Sequence, residues 1–131
     1  YFIEEFMTTK KKILVVDDDE NIRNLLKDIF QSEGYIVEVV GDGKKGFEKA
    51  CLIKYDLITM DIRMPNWDGV ETILGLNLVN HDLKFLIISG YINEHHIDQL
   101  KASSHVIGIL EKPFDTLYLV RIVKDYFQGE K

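Results

Sequence analysis

Short apolar runs alternate with amphipathic helical segments along most of the chain. In the first helical segment, apolar residues recur at the i, i+3, i+4, i+7, i+8 spacing that lines one face of a helix. These residues are Ile22, Leu25, Leu26, Ile29 and Phe30. The last segment, Thr116 to Phe127, repeats the same spacing. The pattern therefore predicts a helix at each of these places, with the apolar face in the core.

Five apolar or β-branched runs have the length and composition of strands. They are Ile13–Val16, Ile36–Val40, Leu57–Met60, Phe85–Ile88 and Val106–Glu111. Three further helical segments lie between the later runs: one with Phe47, Ala50 and Cys51, one from Val70 to Leu78 and one from about Asn93 to Ala102. We expect Cys51 to be a buried apolar residue of its helix.

Polar and glycine residues mark where several elements begin and end. Asp19 precedes the first helical spacing, where an aspartate is a favoured N-cap, and we prefer that interpretation to a direct role as a metal ligand. Gly34 follows the helix at the place of a left-handed cap. The proline, asparagine and glycine of Arg63–Gly69 predict a loop there.

The alternation of strands and helices predicts an α/β fold with a parallel sheet covered by helices on both faces. The right-handed crossover rule leaves few arrangements of five such strands. The common one at this length is the flavodoxin-like, doubly wound order 2-1-3-4-5. In that order, the carboxyl ends of strands 1, 3, 4 and 5 lie side by side at one edge of the sheet.

Length and composition restrict the protein to a few classes. With 131 residues, the chain fits one domain. A net charge of −6 argues against direct contact with nucleic acid. Because the apolar runs are too short to span a bilayer and no signal peptide is recognisable, we expect no membrane contact and a cytoplasmic location. One cysteine allows no internal disulfide.

We expect the domain to occupy residues 11–128, with a leader at residues 1–10 and a tail at residues 129–131. Tyr1–Phe6 precede Met7 and share no periodicity with the rest. Two origins stay open for them, native chain or a remnant of cloning before a native start at Met7.

Charged residues stand at the ends of the strands that the predicted order brings together. Asp17-Asp18-Asp19 follow the first strand, Asp61 follows the third, and Lys112 follows the fifth. A cluster of carboxylates beside one lysine suits a hard cation such as Mg²⁺ with a phosphoryl group between metal and ammonium.

Asp61 is the best-placed nucleophile of this cluster, because a carboxylate left partly free can attack phosphorus and form an aspartyl phosphate. Lys112 can pair with the phosphoryl charge, and the Ser89 hydroxyl can donate a hydrogen bond to it.

Taken together, these motifs resemble the response regulator receiver domain of two-component signalling, similar to chemotaxis regulators. The resemblance covers nearly all of Lys11 to Phe127. It is carried by the pair Asp17-Asp18, by Asp61-Ile62-Arg63-Met64-Pro65 with Asp68-Gly69, by Ser89, and by Lys112-Pro113-Phe114.

The resemblance implies a signalling domain rather than an enzyme. Asp61 would accept a phosphoryl group from a histidine kinase or phosphotransfer protein, with Mg²⁺ as the required ion. The metal ligands would be Asp17, largely through water, Asp18, Asp61 and the backbone carbonyl of Arg63. Arg63 and Tyr91 match the positions that flank the phosphoryl group.

The resemblance also implies a switch from Ser89 to the face made by helix 4, strand 5 and helix 5, which would bind a downstream output domain or target. Receivers often carry an aromatic switch residue three positions before the lysine, and here Ile109 holds that place. We therefore expect phosphorylation to cause a smaller or differently routed conformational change at this face. A stand-alone regulator, a phosphorelay intermediate and a piece of a longer protein all stay open.

Two other readings of the polar residues are weaker. A haloacid dehalogenase-type, Mg²⁺-dependent phosphohydrolase is the alternative function, since that family also combines a strand-end aspartate, a hydroxyl and a lysine. It leaves Asp61 without a role. His95 and His96 are adjacent, so they cannot share a metal as an i, i+4 pair does, and we expect both to be solvated.

Overall fold

The computed structural model describes residues 10–64, 67–79 and 82–129. Within these residues, five parallel strands form one sheet. They are β1 (Lys12–Val16), β2 (Ile36–Val40), β3 (Leu57–Met60), β4 (Phe85–Ser89) and β5 (Val106–Glu111). The helices are α1 (Glu20–Ser32), α2 (Gly43–Leu52), α3 (Gly69–Val79), α4 (Glu94–Lys101) and α5 (Thr116–Gly129).

The strand order is β2-β1-β3-β4-β5, which confirms the predicted doubly wound sheet. β1 lies between β2 and β3, and its last residue, Val16, pairs with Val40 of β2 and Met60 of β3. β4 pairs with β3 on one side and with β5 on the other. Because every pairing is parallel, all five strands end at the same edge of the sheet.

Successive side chains of each strand face opposite sides of the sheet, and they build two apolar clusters. Phe30 of α1 and Val123 of α5 cover one side. Ala50 of α2, Ile73 of α3 and Leu100 of α4 cover the other. Helices therefore lie on both faces, and the three inner strands β1, β3 and β4 are buried along nearly their whole length.

Both predicted markers of the ends of α1 are confirmed. The Asp19 carboxylate accepts hydrogen bonds from the backbone N–H groups of Asn21 and Ile22, so it caps the first turn. After the helix, Gly34 adopts φ +92°, a conformation that a side chain would oppose.

The predicted burial of Cys51 and Leu25 is wrong. A Cβ at Gly46 would lie 2.9 Å from Val16 Cγ2, so α2 packs closely on β1 through its glycine side and buries Gly43, Gly46 and Ala50. Cys51 is the residue after Ala50, so it lies about 100° further around the helix, outside this contact, and is exposed. Leu25 is 44% exposed because α1 buries a narrower stripe than its apolar pattern offers.

The segment predicted as a loop, Arg63–Gly69, is more regular than expected. Arg63–Met64 pairs antiparallel with Trp67–Asp68, and α3 begins at Gly69. This short pairing gives hydrogen-bond partners to backbone N–H and C=O groups that would otherwise be hydrated in a loop. Pro65 and Asn66 lie outside the described residues, as do Tyr1–Thr9 and the final two residues.

None of the helices that the structure describes combines the length and the hydropathy needed to cross a membrane.

Candidate functional site

The strand ends bring five of the predicted site residues to one place. Asp17 and Asp61 are nearly inaccessible, with 1% and 5% of their surface exposed, and Ser89 is fully buried. Asp18 is exposed beside them. Lys112 enters from the end of β5, where its backbone N–H donates to the Ser89 carbonyl oxygen at 2.9 Å. The peptide bond between Lys112 and Pro113 is cis.

The Lys112 ammonium bridges the two buried carboxylates. Its Nζ lies 2.6 Å from Asp17 Oδ2 and 3.1 Å from Asp61 Oδ2. The lysine side chain is itself only 18% exposed, so these ion pairs are largely shielded from water. One ammonium therefore neutralises part of the charge that two buried acids bring to the site.

The other oxygen of Asp61 is held by two donors. Oδ1 accepts hydrogen bonds from Ser89 Oγ at 2.8 Å and from the Arg63 backbone N–H at 2.9 Å. Three donors thus fix the carboxylate of Asp61 in one orientation. The Ser89 hydroxyl lies 3.4 Å from the Tyr91 carbonyl oxygen as well, a second acceptor within reach.

The pKa values of Asp17 and Lys112 reflect this mixture of burial and pairing. Burial raises the pKa of Asp17, and the hydrogen bonds from Lys112 and from the Asp19 N–H offset only part of that rise. Burial by itself would lower the pKa of Lys112. Its hydrogen bonds and charge interactions with Asp17 and Asp61 outweigh that effect, and the net direction is upward. Lys112 therefore stays a cation at neutral pH.

Asp17, Asp18 and Asp61 also meet the requirements of a cation site. Each offers a carboxylate oxygen, and these oxygens lie within 4.8 Å of one another. Hard cations such as Mg²⁺ prefer such oxygen ligands, and two or more carboxylates on one ion offset their mutual repulsion. The donor set fits Mg²⁺ better than a softer metal, because it contains no nitrogen or sulfur.

The side chains of Arg63 and Tyr91, whose backbones contact Asp61 and Ser89, stack on each other. The Arg63 guanidinium stacks over the Tyr91 ring at 4.9 Å from the ring centre. Both side chains line a surface pocket of about 470 Å³ with Ile62, Met64 and His96. His96 is half-buried, so its predicted solvation is wrong, while His95 is exposed as expected.

Ile109, at the predicted switch position, is half-buried and packs with Ile92 against the core cluster under α4. It also lines a pocket of about 230 Å³ between α4 and β5, with Ile97 and Lys101 on the helix side.

Sequence reasoning missed one residue that contacts the site. Arg23, on α1, donates from Nη1 to the backbone carbonyl of Asp17 at 2.9 Å. Its position in the amphipathic pattern of α1 gives no sign of this contact, because the contact depends on how α1 sits above the strand ends.

Comparison with known proteins matches this site and fold to one family. A profile of the response regulator receiver domain matches residues 13–124. Sporulation initiation phosphotransferase F of Bacillus subtilis is 28% identical over 118 residues, covering 88% of this chain and 93% of that protein. Chemotaxis protein CheY of Thermotoga maritima is 33% identical over 108 residues, covering 79% of this chain and 87% of that protein.

A solved structure agrees. The response regulator protein TrrA of Thermotoga maritima, crystallised in complex with Mg²⁺-BeF, has a TM-score of 0.77 at 32% identity, over 88% of this chain and 97% of that one. Other relatives are longer: the chain spans 35% of the transcriptional regulatory protein RprY of Bacteroides fragilis.

The chain belongs to the response regulator receiver domain family of two-component signalling. Members of this family are signalling domains that bind Mg²⁺ in an acidic pocket. The phosphohydrolase alternative finds no support in these matches.

Asp18 allows a test of the cation site, because the structure describes no hydrogen bond or ion pair of its side chain. We predict that Asp18→Asn raises the melting temperature of the metal-free protein, since one repelling charge is removed from the cluster. The gain should stay below about 1 kcal/mol, because Asp18 is exposed and its charge is screened. The same variant should lose most of the stabilisation that millimolar Mg²⁺ gives the parent.

Thermal unfolding with and without Mg²⁺ measures both effects. Asp28→Asn, which removes an exposed charge from α1, is the matched control and should respond to Mg²⁺ as the parent does. An Asp18→Asn protein with the full response to Mg²⁺ would exclude Asp18 as a ligand.

Proposed function

We propose that Asp61 accepts a phosphoryl group from the phosphohistidine of a histidine kinase or phosphotransfer protein. The observation that carries the proposal is the set of contacts on its carboxylate: Ser89 and the Arg63 N–H on one oxygen, and Lys112 on the other. Among the strand-end acids of the site, Asp61 is the one bonded to all three of these donors.

In the transfer, an oxygen of the Asp61 carboxylate attacks phosphorus and an O–P bond forms. The N–P bond of the donor breaks, and its electron pair remains on the imidazole nitrogen. Lys112 and Ser89 contact Asp61 and so lie close to the place where the phosphoryl oxygens arrive. Their ammonium and hydroxyl hydrogens can then stabilise the charge on those oxygens.

Asp17, Asp18, Asp61 and the backbone carbonyl of Arg63 would hold Mg²⁺. Bound there, the ion supplies positive charge to the transferring phosphoryl group. The related TrrA structure carries Mg²⁺ with a beryllium fluoride, which supports the same use of this chain's acids.

The change that signals phosphorylation to a partner begins at the Ser89 hydroxyl, which has two acceptors within reach, Asp61 Oδ1 and the Tyr91 carbonyl oxygen. When a phosphoryl oxygen competes for this donor, Ser89 can leave Asp61, and its motion reaches β5 through the Lys112 N–H bonded to its carbonyl oxygen. We propose that this shifts the equilibrium of the face formed by α4, β5 and α5, which binds the downstream output domain or target. Ile109 would take part by repacking against α4, without the rotation of an aromatic ring.

We predict that Asp61→Asn abolishes phosphorylation, because the amide is not a nucleophile for this transfer. The protein is incubated with acetyl phosphate and Mg²⁺, and the acyl phosphate is located by borohydride reduction and peptide mass spectrometry. Asp125→Asn, an exposed acid of α5, is the control and should be labelled like the parent. Label that persists in Asp61→Asn would refute the assignment.

Arg63 and Tyr91 are proposed to protect the aspartyl phosphate. The Arg63 N–H bonds the Asp61 carboxylate, and the Tyr91 carbonyl oxygen lies 3.4 Å from Ser89 Oγ. The side chains of these two residues stack on each other and would limit the approach of water. We expect a phosphorylated state that lasts minutes to hours. Tyr91→Ala should shorten it, and a tenfold faster decay would correspond to roughly 1.4 kcal/mol of barrier. Tyr91→Phe, which keeps the ring, should decay like the parent.

Decay is followed after removal of the phosphoryl donor. Tyr118→Ala is the matched control, because Tyr118 is 55% exposed and Tyr91 is 52% exposed. Equal lifetimes of Tyr91→Ala and Tyr118→Ala would show that the stack does not control hydrolysis.

A further inference from the structure

The guanidinium of Arg23 is held between two loops at the carboxyl edge of the sheet. On one side, Nη1 donates to the Asp17 carbonyl oxygen at 2.9 Å. On the other side lies Gly41, which follows β2: a Cβ built there would be 3.1 Å from Nη1 and 3.4 Å from Cζ. Gly41 does not adopt a left-handed conformation, so the close approach of Arg23 is what favours glycine there.

Asp17 is fixed at several points besides this one. Its backbone N–H donates to the Val40 carbonyl oxygen at 3.2 Å, and its carboxylate accepts from the Asp19 N–H at 2.9 Å. The carbonyl that Arg23 holds belongs to the peptide that joins Asp17 to Asp18. Arg23 therefore controls the orientation of the peptide plane from which Asp18 projects.

Asp18 depends on that peptide more than the other acids do. Asp17 and Asp61 have donors on their carboxylates, whereas the described residues provide none for Asp18. Mg²⁺ requires near-octahedral geometry and tolerates little displacement of a ligand. The backbone that carries Asp18 must then be held in place by something other than its own side chain.

We infer that Arg23 is a positioning residue of the Mg²⁺ site, acting through the Asp17–Asp18 peptide, with Gly41 providing the space for its guanidinium. The inference rests on the proposed Mg²⁺ site. The positive charge of Arg23 also repels a bound cation. Arg23 therefore has two opposite effects on Mg²⁺ affinity: it positions Asp18, which raises the affinity, and it repels the ion, which lowers it. Outer-shell partners of metal ligands typically change metal affinity by 10–100-fold. We expect this positioning effect to outweigh the repulsion between the guanidinium and the ion.

The experiment is a titration of the parent and four variants with Mg²⁺ alone, followed by amide NMR shifts well below the melting temperature. Arg23→Met should bind Mg²⁺ roughly tenfold more weakly, which corresponds to about 1.4 kcal/mol. Arg23→Lys, which keeps a charged donor, should recover part of the affinity. Gly41→Ala should weaken binding without any change of charge, because its Cβ would lie 3.1 Å from Nη1 and the guanidinium would have to shift by a few tenths of an ångström.

Lys27→Met is the charge-matched control. Lys27 lies one turn further along α1, and no contact to Asp17 is found for it among the described residues. This variant should bind Mg²⁺ as the parent does. Metal-free melting temperatures separate a loss of affinity from a loss of folding, and Gly41→Ala keeps the test valid if Arg23→Met is unstable.

Equal or tighter binding by Arg23→Met or by Gly41→Ala would overturn the inference, as would equal changes in Arg23→Met and Lys27→Met. If the parent itself does not bind Mg²⁺, the proposed metal site fails and the inference fails with it. If the parent binds and either test variant binds equally well, the metal site stands and only the role of Arg23 is refuted.

Discussion

The contact of one lysine with two buried carboxylates is the interaction on which this site depends. Asp17 and Asp61 are almost fully buried, and Lys112 Nζ lies within 3.1 Å of both. Without that ammonium, two buried charges would lose the cation that contacts both of them, at a cost of several kcal/mol. The lysine offsets part of the repulsion between the two acids in the absence of Mg²⁺ and a phosphoryl group.

The fold provides this contact through the order of its strands. Asp17 follows β1, Asp61 follows β3, and the lysine arrives from β5, two strands beyond β3. Ser89, at the end of the intervening β4, connects the two sides: its hydroxyl bonds Asp61 and its carbonyl oxygen accepts from Lys112 N–H. A change at Asp61 can therefore be transmitted across the sheet to β5 and the face beyond it.

Much of this could be predicted from the sequence, because the period of apolar residues and the polar residues at strand ends are local signals. The strand order and the convergence of Asp17, Asp61, Ser89 and Lys112 follow from those signals and the handedness of crossovers. The exposure of Cys51 could not be predicted, because it depends on how closely Gly46 lets α2 approach Val16. The contact of Arg23 with Asp17 was missed for the same reason, since it depends on the placement of a helix above a loop.

The most direct test of the central claim is a double-mutant cycle between Asp17 and Lys112 in the metal-free protein. The free energy of unfolding is measured by denaturant for the parent, Asp17→Asn, Lys112→Met and the double variant. A lysine that compensates a buried carboxylate predicts a coupling energy of roughly 2 kcal/mol or more. Additive effects, within about 0.5 kcal/mol, would contradict it.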